Sequence, residues 1–349
     1  MNIAILTLGR SRRTVVEARR TIMRRPVVIT SLLMLGICNP VAESTANAQA
    51  AGRTQTRSLV EGPSTRGNMS VLSEVVDETV RRDASTSQRT RSEFVADPQG
   101  RQRLMSVMEE QRVAQPDGGH QITREFTDLE FDGRARMTRR EREQRTARGN
   151  GVFATDIEVT ASSINGGGFV PTERVQQQER RVGDQVVERE ATTSVDPTGR
   201  GKWDVVEQRM LTRSVTNGGA ESVEVIYRPD TTGNLVRSER IVSKEWTAGG
   251  QAFRTDEVYR QDINNGGSLA GQAVRQVDIV RTTLSDGGSE TIRTVSERQG
   301  DRLQVTERAV ERSRPDGAGG RVIDQEVQRS ITYGRLETVA TGRIRESQP

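Results

Sequence analysis

A glycine precedes a stretch of alternating residues at Gly67, Gly100, Gly133, Gly166, Gly199, Gly233, Gly266, Gly300 and Gly334, at intervals of 33 or 34 residues. No other feature restricts the fold of this chain as strongly, because a fixed period of this length means one supersecondary unit repeated along the chain. Eight whole units run from 67 to 333, flanked by a second half-unit at 51–66 and a first half-unit at 334–349. Each unit has two arms. The first follows the glycine, as in "GDRLQVTERAVERS" (300–313) or "GNLVRSERIVSKEW" (233–246). The second follows a turn such as "SDGGS" (285–289) or "TNGGA" (216–220), as in "ETIRTVSER" (290–298).

The turns identify the arms as strands. Asn-Gly and Asp-Gly supply the positive φ that tight hairpins need, and Asp-x-x-Gly, as in "DPTG" (196–199) and "DTTG" (230–233), fits a type I turn ending on a left-handed glycine. The arms favour Val, Ile, Thr and Arg over Ala and Leu. Paired helices of the same length are the competing reading, which "RREREQR" (139–145) would suit, but β-branched arms between such turns favour strands. The expectation is an all-β, up-and-down antiparallel meander of about seventeen strands, forming an extended twisted ribbon. Residues 51–165 carry a weaker version of the repeat, expected to be partly disordered, and 166–349 a well-defined one.

The strands are polar on both faces. In "LQVTERAVERS" one face would carry Leu303, Val305, Glu307, Ala309 and Glu311, and the other Gln304, Thr306, Arg308, Val310 and Arg312. Such a sheet meets water on both sides, and its cohesion rests on the backbone ladder and on cross-strand pairs. Composition agrees: 32% of residues are hydrophobic, and there are 6 Phe, 3 Tyr and 2 Trp in 349 residues. An outer-membrane barrel, with its apolar lipid-facing stripe and aromatic girdles, fits this pattern less well, as does a propeller of short four-stranded blades.

The first fifty residues read as a leader. Arg24 and Arg25 precede an apolar run from Val27 to Cys38, and Ala48-Gln49-Ala50 is an A-x-A cleavage site, so a secretory signal starts at Met23 and the mature chain at Ala51. The leader holds seven arginines against two glutamates, so the mature chain has a net charge of −1 where the whole chain is +4. No basic footprint for nucleic acid remains. Cys38 is the one cysteine, so the mature chain has no disulfide. Lys202 and Lys244 are the only lysines; every other cation is arginine, suited to bidentate pairing with carboxylates.

Chemistry is sparse. His120, the single histidine, follows the turn "PDGG" and reads as an exposed turn residue. No His/Cys cluster is spaced for a metal, and the glycine-rich turns lack the lysine of a phosphate loop. Acidic pairs such as Glu188 and Glu190 recur across units and read as a solvated strand face. No catalytic residue, cofactor or metal ligand is expected. The one candidate ligand patch is aromatic: Tyr227, Trp246, Phe253 and Tyr259, on adjoining arms. The stretch "YRPDTTGNL" (227–235) resembles the turn of bacterial YD-type surface repeats, where Asp-x-x-Gly-x-Leu links successive strands; the likeness covers one turn per unit, and the Tyr-Asp pair is missing.

These features point to an exported, non-enzymatic repeat protein, periplasmic, cell-surface or extracellular. It would act as a structural spacer, scaffold or adhesive ribbon of a bacterial envelope or matrix. The alternative is a carbohydrate- or protein-binding module using the patch at 227–259. The expected partner is a cell-surface or matrix protein or polysaccharide, with no nucleic acid and no transmembrane segment in the mature chain. The two free edges of an open ribbon invite edge-to-edge self-association.

Overall fold

The computed structural model describes residues 52–63, 69–97, 99–130, 133–163, 168–216, 218–261, 271–317, 320–330 and 335–347. The leader and its cleavage site lie outside them. The described chain forms eighteen strands: β1 (Arg53–Pro63), β2 (Met69–Arg81), β3 (Thr86–Ala96), β4 (Gln102–Ala114), β5 (His120–Leu129), β6 (Ala135–Gly149), β7 (Val152–Ser162), β8 (Phe169–Val182) and β9 (Gln185–Val195). The second half is β10 (Asp204–Thr216), β11 (Gly219–Pro229), β12 (Leu235–Ala248), β13 (Gln251–Arg260), β14 (Arg275–Thr283), β15 (Ser289–Gln299), β16 (Arg302–Pro315), β17 (Arg321–Ser330) and β18 (Leu336–Ser347).

Every strand pairs antiparallel with its sequence neighbours, and β1 also pairs with β18, from Arg57↔Ser347 to Glu61↔Arg343. The meander is therefore closed. This corrects the open ribbon of about seventeen strands, and the reason is one strand: β1 supplies the eighteenth member, and an even number lets the first and last strands meet antiparallel. Twist accumulating over the meander brings the ends together. Closure also removes the free edges, so the ground for edge-to-edge self-association disappears. At about 4.8 Å between strands and a tilt of about 40°, eighteen strands enclose a cylinder on the order of 35 Å across, too wide for wall side chains to fill.

The predicted turns that lie wholly among the described residues are present. In the β3–β4 turn the Gly100 N–H donates to the Asp97 carbonyl (2.8 Å), and the Asp97 carboxylate accepts from the N–H groups of Gln99 and Arg101 (both 2.9 Å). The Asp230 carboxylate does the same for Thr232 (2.8 Å) and Asn234 (3.0 Å). At the opposite end, Gly149, Asn150 and Gly151 have φ of 86°, 51° and 73°. A Cβ on Gly151 would stand 2.4 Å from the Arg181 carbonyl oxygen, so only glycine fits there.

Eight of the nine even strands, all but β14, carry a recurrent irregularity. One residue is skipped in the pairing with the preceding strand: Leu72, Met105, Thr138, Thr172, Val206, Ser238, Thr306 and Val339. These β-bulges all lie near the start of an even strand, so they ring one end of the barrel, here termed the bulged end. Where the extra residue is hydroxylated, it donates to the carbonyl of the preceding strand: Thr138 to Phe126 (3.4 Å), Thr172 to Val159 (3.3 Å), Ser238 to Ile226 (3.0 Å) and Thr306 to Val295 (3.3 Å).

Register partners share a face, so tracing them around the ring sorts each strand into an inner and an outer set. Val75, Ile122, Val159, Ile226, Val277, Val295, Ile323 and Val327, all buried, belong to one set, as do six of the eight buried polar residues, Ser73, His120, Thr155, Glu179, Ser243 and Ser313; Glu74 is buried on the other face beside Arg57, and Asp196 lies in a turn. A closed cylinder crowds side chains on its concave side, so this set faces the lumen.

Candidate functional site: the lumenal wall

Both faces carry ion pairs, the outer one mostly in separate pairs such as Arg57–Glu74 and Arg312–Glu290, and the inner set joins them into longer chains. On β4, β5 and β6, Arg124 holds Glu110 through Nε (2.6 Å) and reaches Glu143 (3.2 Å) and Glu141 (3.3 Å) through Nη1. Arg139 adds a second cation to Glu141 (2.5 Å), and the His120 ring meets Glu143 (2.8 Å). Further round, Glu179 on β8 is gathered by Arg145 (2.6 Å), Arg181 (2.9 Å) and Arg189 (3.8 Å), from β6, β8 and β9. Arg228 on β11 then links Glu207 on β10 (2.9 Å) to Glu239 on β12 (3.2 Å), and Arg260 on β13 joins Glu239 (3.5 Å). Glu307 on β16 sits between Arg293 (2.9 Å) and Arg329 (3.1 Å). The result is a series of arginine–carboxylate chains crossing from strand to strand around the lumen.

Two causes set this arrangement. Alternation puts every second residue of a strand on the inner wall, and antiparallel pairing sets Arg and Glu of neighbouring strands opposite or diagonal to each other. Arginine's planar fork can serve two carboxylates at once, which the scarce lysines cannot do as well. Aromatic rings extend the pattern: the Arg145 guanidinium lies 4.1 Å from the Phe153 ring centroid and Arg139 lies 5.4 Å from that of Phe126.

His120 is a correction to its reading as an exposed turn residue. It is the first residue of β5, its relative exposure is 7%, and it points into the wall beside Glu143 because His120 falls on the inner parity of the strand. Glu188 and Glu190 point outward, and Glu188 is held by Arg180 (2.8 Å). Among the described residues no group of three or more His, Cys, Asp or Glu side chains is placed to hold a metal ion.

All four residues of the aromatic patch face outward, and the structure divides them. Trp246 and Phe253 stack across the β12–β13 pair, with centroids 5.3 Å apart and planes 8° from parallel. Tyr259 lies at the opposite end of β13, 4.3 Å from the Arg240 guanidinium, and Tyr227 pairs with Arg237 at the bulged end. They do not form one platform. The lumenal chains were missed as a site because their residues are ordinary members of the repeat; the near-exclusive use of arginine was the signal that bore on them.

No family model matches this chain, and no curated protein matches it. Solved structures do. OccK9 (OpdG) of Pseudomonas aeruginosa superposes with a TM-score of 0.50 at 10% identity, covering 85% of this chain and 98% of its own. OccK10 (OpdN) of the same organism gives 0.50 at 11%, covering 86% and 99%. Both are β-barrels of the outer-membrane porin type. The closed barrel overturns the spacer, scaffold or adhesive ribbon, because such a ribbon needs an open sheet. It likewise overturns the aromatic binding module and the matrix protein or polysaccharide partner that went with those readings. Among the described residues no helix is long and apolar enough to cross a membrane, but barrels cross with strands, so the expectation of no transmembrane segment falls as well. In fold, the chain is an eighteen-stranded antiparallel barrel similar to outer-membrane porins.

Proposed function

We propose that this is a non-enzymatic, exported barrel of the outer membrane whose lumen is an aqueous passage for small charged or zwitterionic solutes. The observation that carries the reading is the closure of eighteen strands around a lumen walled by arginine–carboxylate chains. A barrel of this strand number leaves an open bore where an eight-stranded one is filled by its own side chains. Fixed charges of both signs on the wall exchange hydration water for ionic contacts along the path, which favours polar solutes over apolar ones. The fold of OccK9 and OccK10 supports the location. The test is reconstitution of the purified chain, without its leader, into planar bilayers. Stepwise conductance is expected, and Glu179→Gln together with Glu207→Gln should move the reversal potential in a salt gradient toward anion preference. A bilayer that stays silent, with folded barrel present by circular dichroism, overturns the reading.

A further inference from the structure

The outer face changes around the circumference. Between the bulges and the opposite rim, leaving out the terminal residue of each strand, most strands point at least one large apolar side chain outward. Val76 on β2, Met210 on β10, Val225 on β11, Val242 on β12, Ile292 on β15 and Val310 on β16 are examples. From β5 to β9 no residue in outward register is of this kind. Among the described residues, no other run of strands without one is longer than a single strand. Most charges of this polar sector are paired within the chain: Arg140 to Glu125 (2.6 Å), Arg174 to Asp156 (3.2 Å) and Arg180 to Glu188 (2.8 Å). Arg142 on β6 and Glu158 on β7 differ. They stand opposite each other in register near the centre of the sector, and both are exposed. Neither side chain has an ion-pair or hydrogen-bond partner among the described residues.

We infer that this sector is the contact between two copies of the barrel lying side by side in one membrane, with Arg142 of each copy paired to the partner's Glu158. Lipid does not suit the sector. Hydrocarbon offers no partner to glutamine, arginine or carboxylate, and the sector is polar through the height at which a spanning barrel needs its apolar band. A second copy does suit it. Two barrels inserted in the same direction are related by an axis along the membrane normal. A two-fold axis of that kind, passing between β6 and β7, sets β6 against the partner's β7. The unpaired cation of one copy then meets the unpaired anion of the other, and the same contact is made twice. A partner of a single charge sign would satisfy one of the two residues and leave the other buried without a counter-ion. The area agrees. Five strands at about 4.8 Å and about eight residues of height at about 3.3 Å give on the order of 600 Å² per copy, the lower end of what a stable interface takes from each partner. The inference rests on the membrane-spanning barrel proposed above but not on conduction.

Cys38 lies in the leader, so single cysteines in the mature chain test the contact directly. Gln144 is outward on β6 beside Arg142, and Thr294 is outward on β15, on the other side of the barrel. Full-length mature protein carrying Gln144→Cys or Thr294→Cys is reconstituted in phosphatidylcholine vesicles and treated with a short bismaleimide. Gln144→Cys should give a covalent dimer on a denaturing gel, and Thr294→Cys should stay monomeric. Equal linkage at both positions, as random collision gives, or linkage at neither, overturns the contact. In the Gln144→Cys background, Arg142→Glu alone and Glu158→Arg alone bring like charges together and should each cut linkage at least tenfold. The two changes combined should restore it. Single variants that link as well as the parent, or a combined variant that stays monomeric, overturn the Arg142–Glu158 pairing, and circular dichroism establishes that each variant keeps its sheet. Conductance is recorded separately. A silent bilayer with linked Gln144→Cys removes the passage and leaves the contact, and a conducting barrel that does not link removes the contact and leaves the passage.

Discussion

Thr138, Thr172, Ser238 and Thr306 occupy equivalent bulges, and each uses its hydroxyl to occupy a carbonyl of the strand before it. A bulge interrupts the ladder, and an unpartnered carbonyl at such a point is destabilising. Thr306→Val keeps the shape and removes the donor, so it should lower stability by about 0.5–1.5 kcal/mol, read as a lower urea midpoint with unchanged slope. A second polar anchor is at the opposite end. Asp83 accepts from the Ser85 hydroxyl (2.8 Å), the Ser85 N–H (2.7 Å) and the Thr86 N–H (2.7 Å), and these bonds hold its carboxyl below its ordinary value. A depressed carboxyl stabilises the folded state above the unfolded value of about 3.9 and loses that contribution as pH falls through the lower folded value. Thermal unfolding of Asp83→Ala and the parent should therefore differ at pH 6, and the difference should shrink on acidification below about pH 4. A gap that widens instead would mean that the Asp83 bonds do not favour the carboxylate.

The hairpin is the element through which most of the sequence was legible. Its turns name themselves, since Asp97, Asp196 and Asp230 each stand three residues before a glycine of positive φ. The arms between were readable as strands because β-branched residues and arginine fill them. Two things inside the hairpin were not readable. The bulge adds a residue without a composition of its own: Leu72 and Met105 share the position with Thr172 and Ser238. The aromatic patch was assembled from sequence proximity, whereas antiparallel pairing joins only residues equidistant from a turn. Trp246 and Phe253 meet that condition, and Tyr227 and Tyr259 are carried to the other end. The lumenal chains escaped for a related reason. Parity within one strand assigns a residue to a face but does not say which face is concave; that follows only from closure.

Closure itself is a property of the whole molecule. Each hairpin contributes a similar twist, and no residue of β1 or β18 announces that the two will pair, so a sequence read unit by unit leads equally well to a ribbon. The number of strands then matters in a way that no single unit reveals. Removing 266–299 takes out β14 and β15 together and leaves sixteen strands, which still close antiparallel. Removing 266–284 takes out β14 alone, reverses the direction of every later strand, and leaves β18 parallel to β1. The longer deletion should retain a protease-resistant barrel with a lower urea midpoint, and the shorter one should be degraded within the time that leaves the parent intact. Survival of the shorter deletion alone would mean that the β1–β18 seam is dispensable. The same parity acts on the gene. Unequal recombination between repeats removes or adds 33 or 34 codons at a time, which is one hairpin, so a copying error of the common kind yields another closable ring. A lineage of such chains can therefore change its bore in steps of two strands without passing through a broken intermediate, and the length of the coding sequence records which bore it has reached.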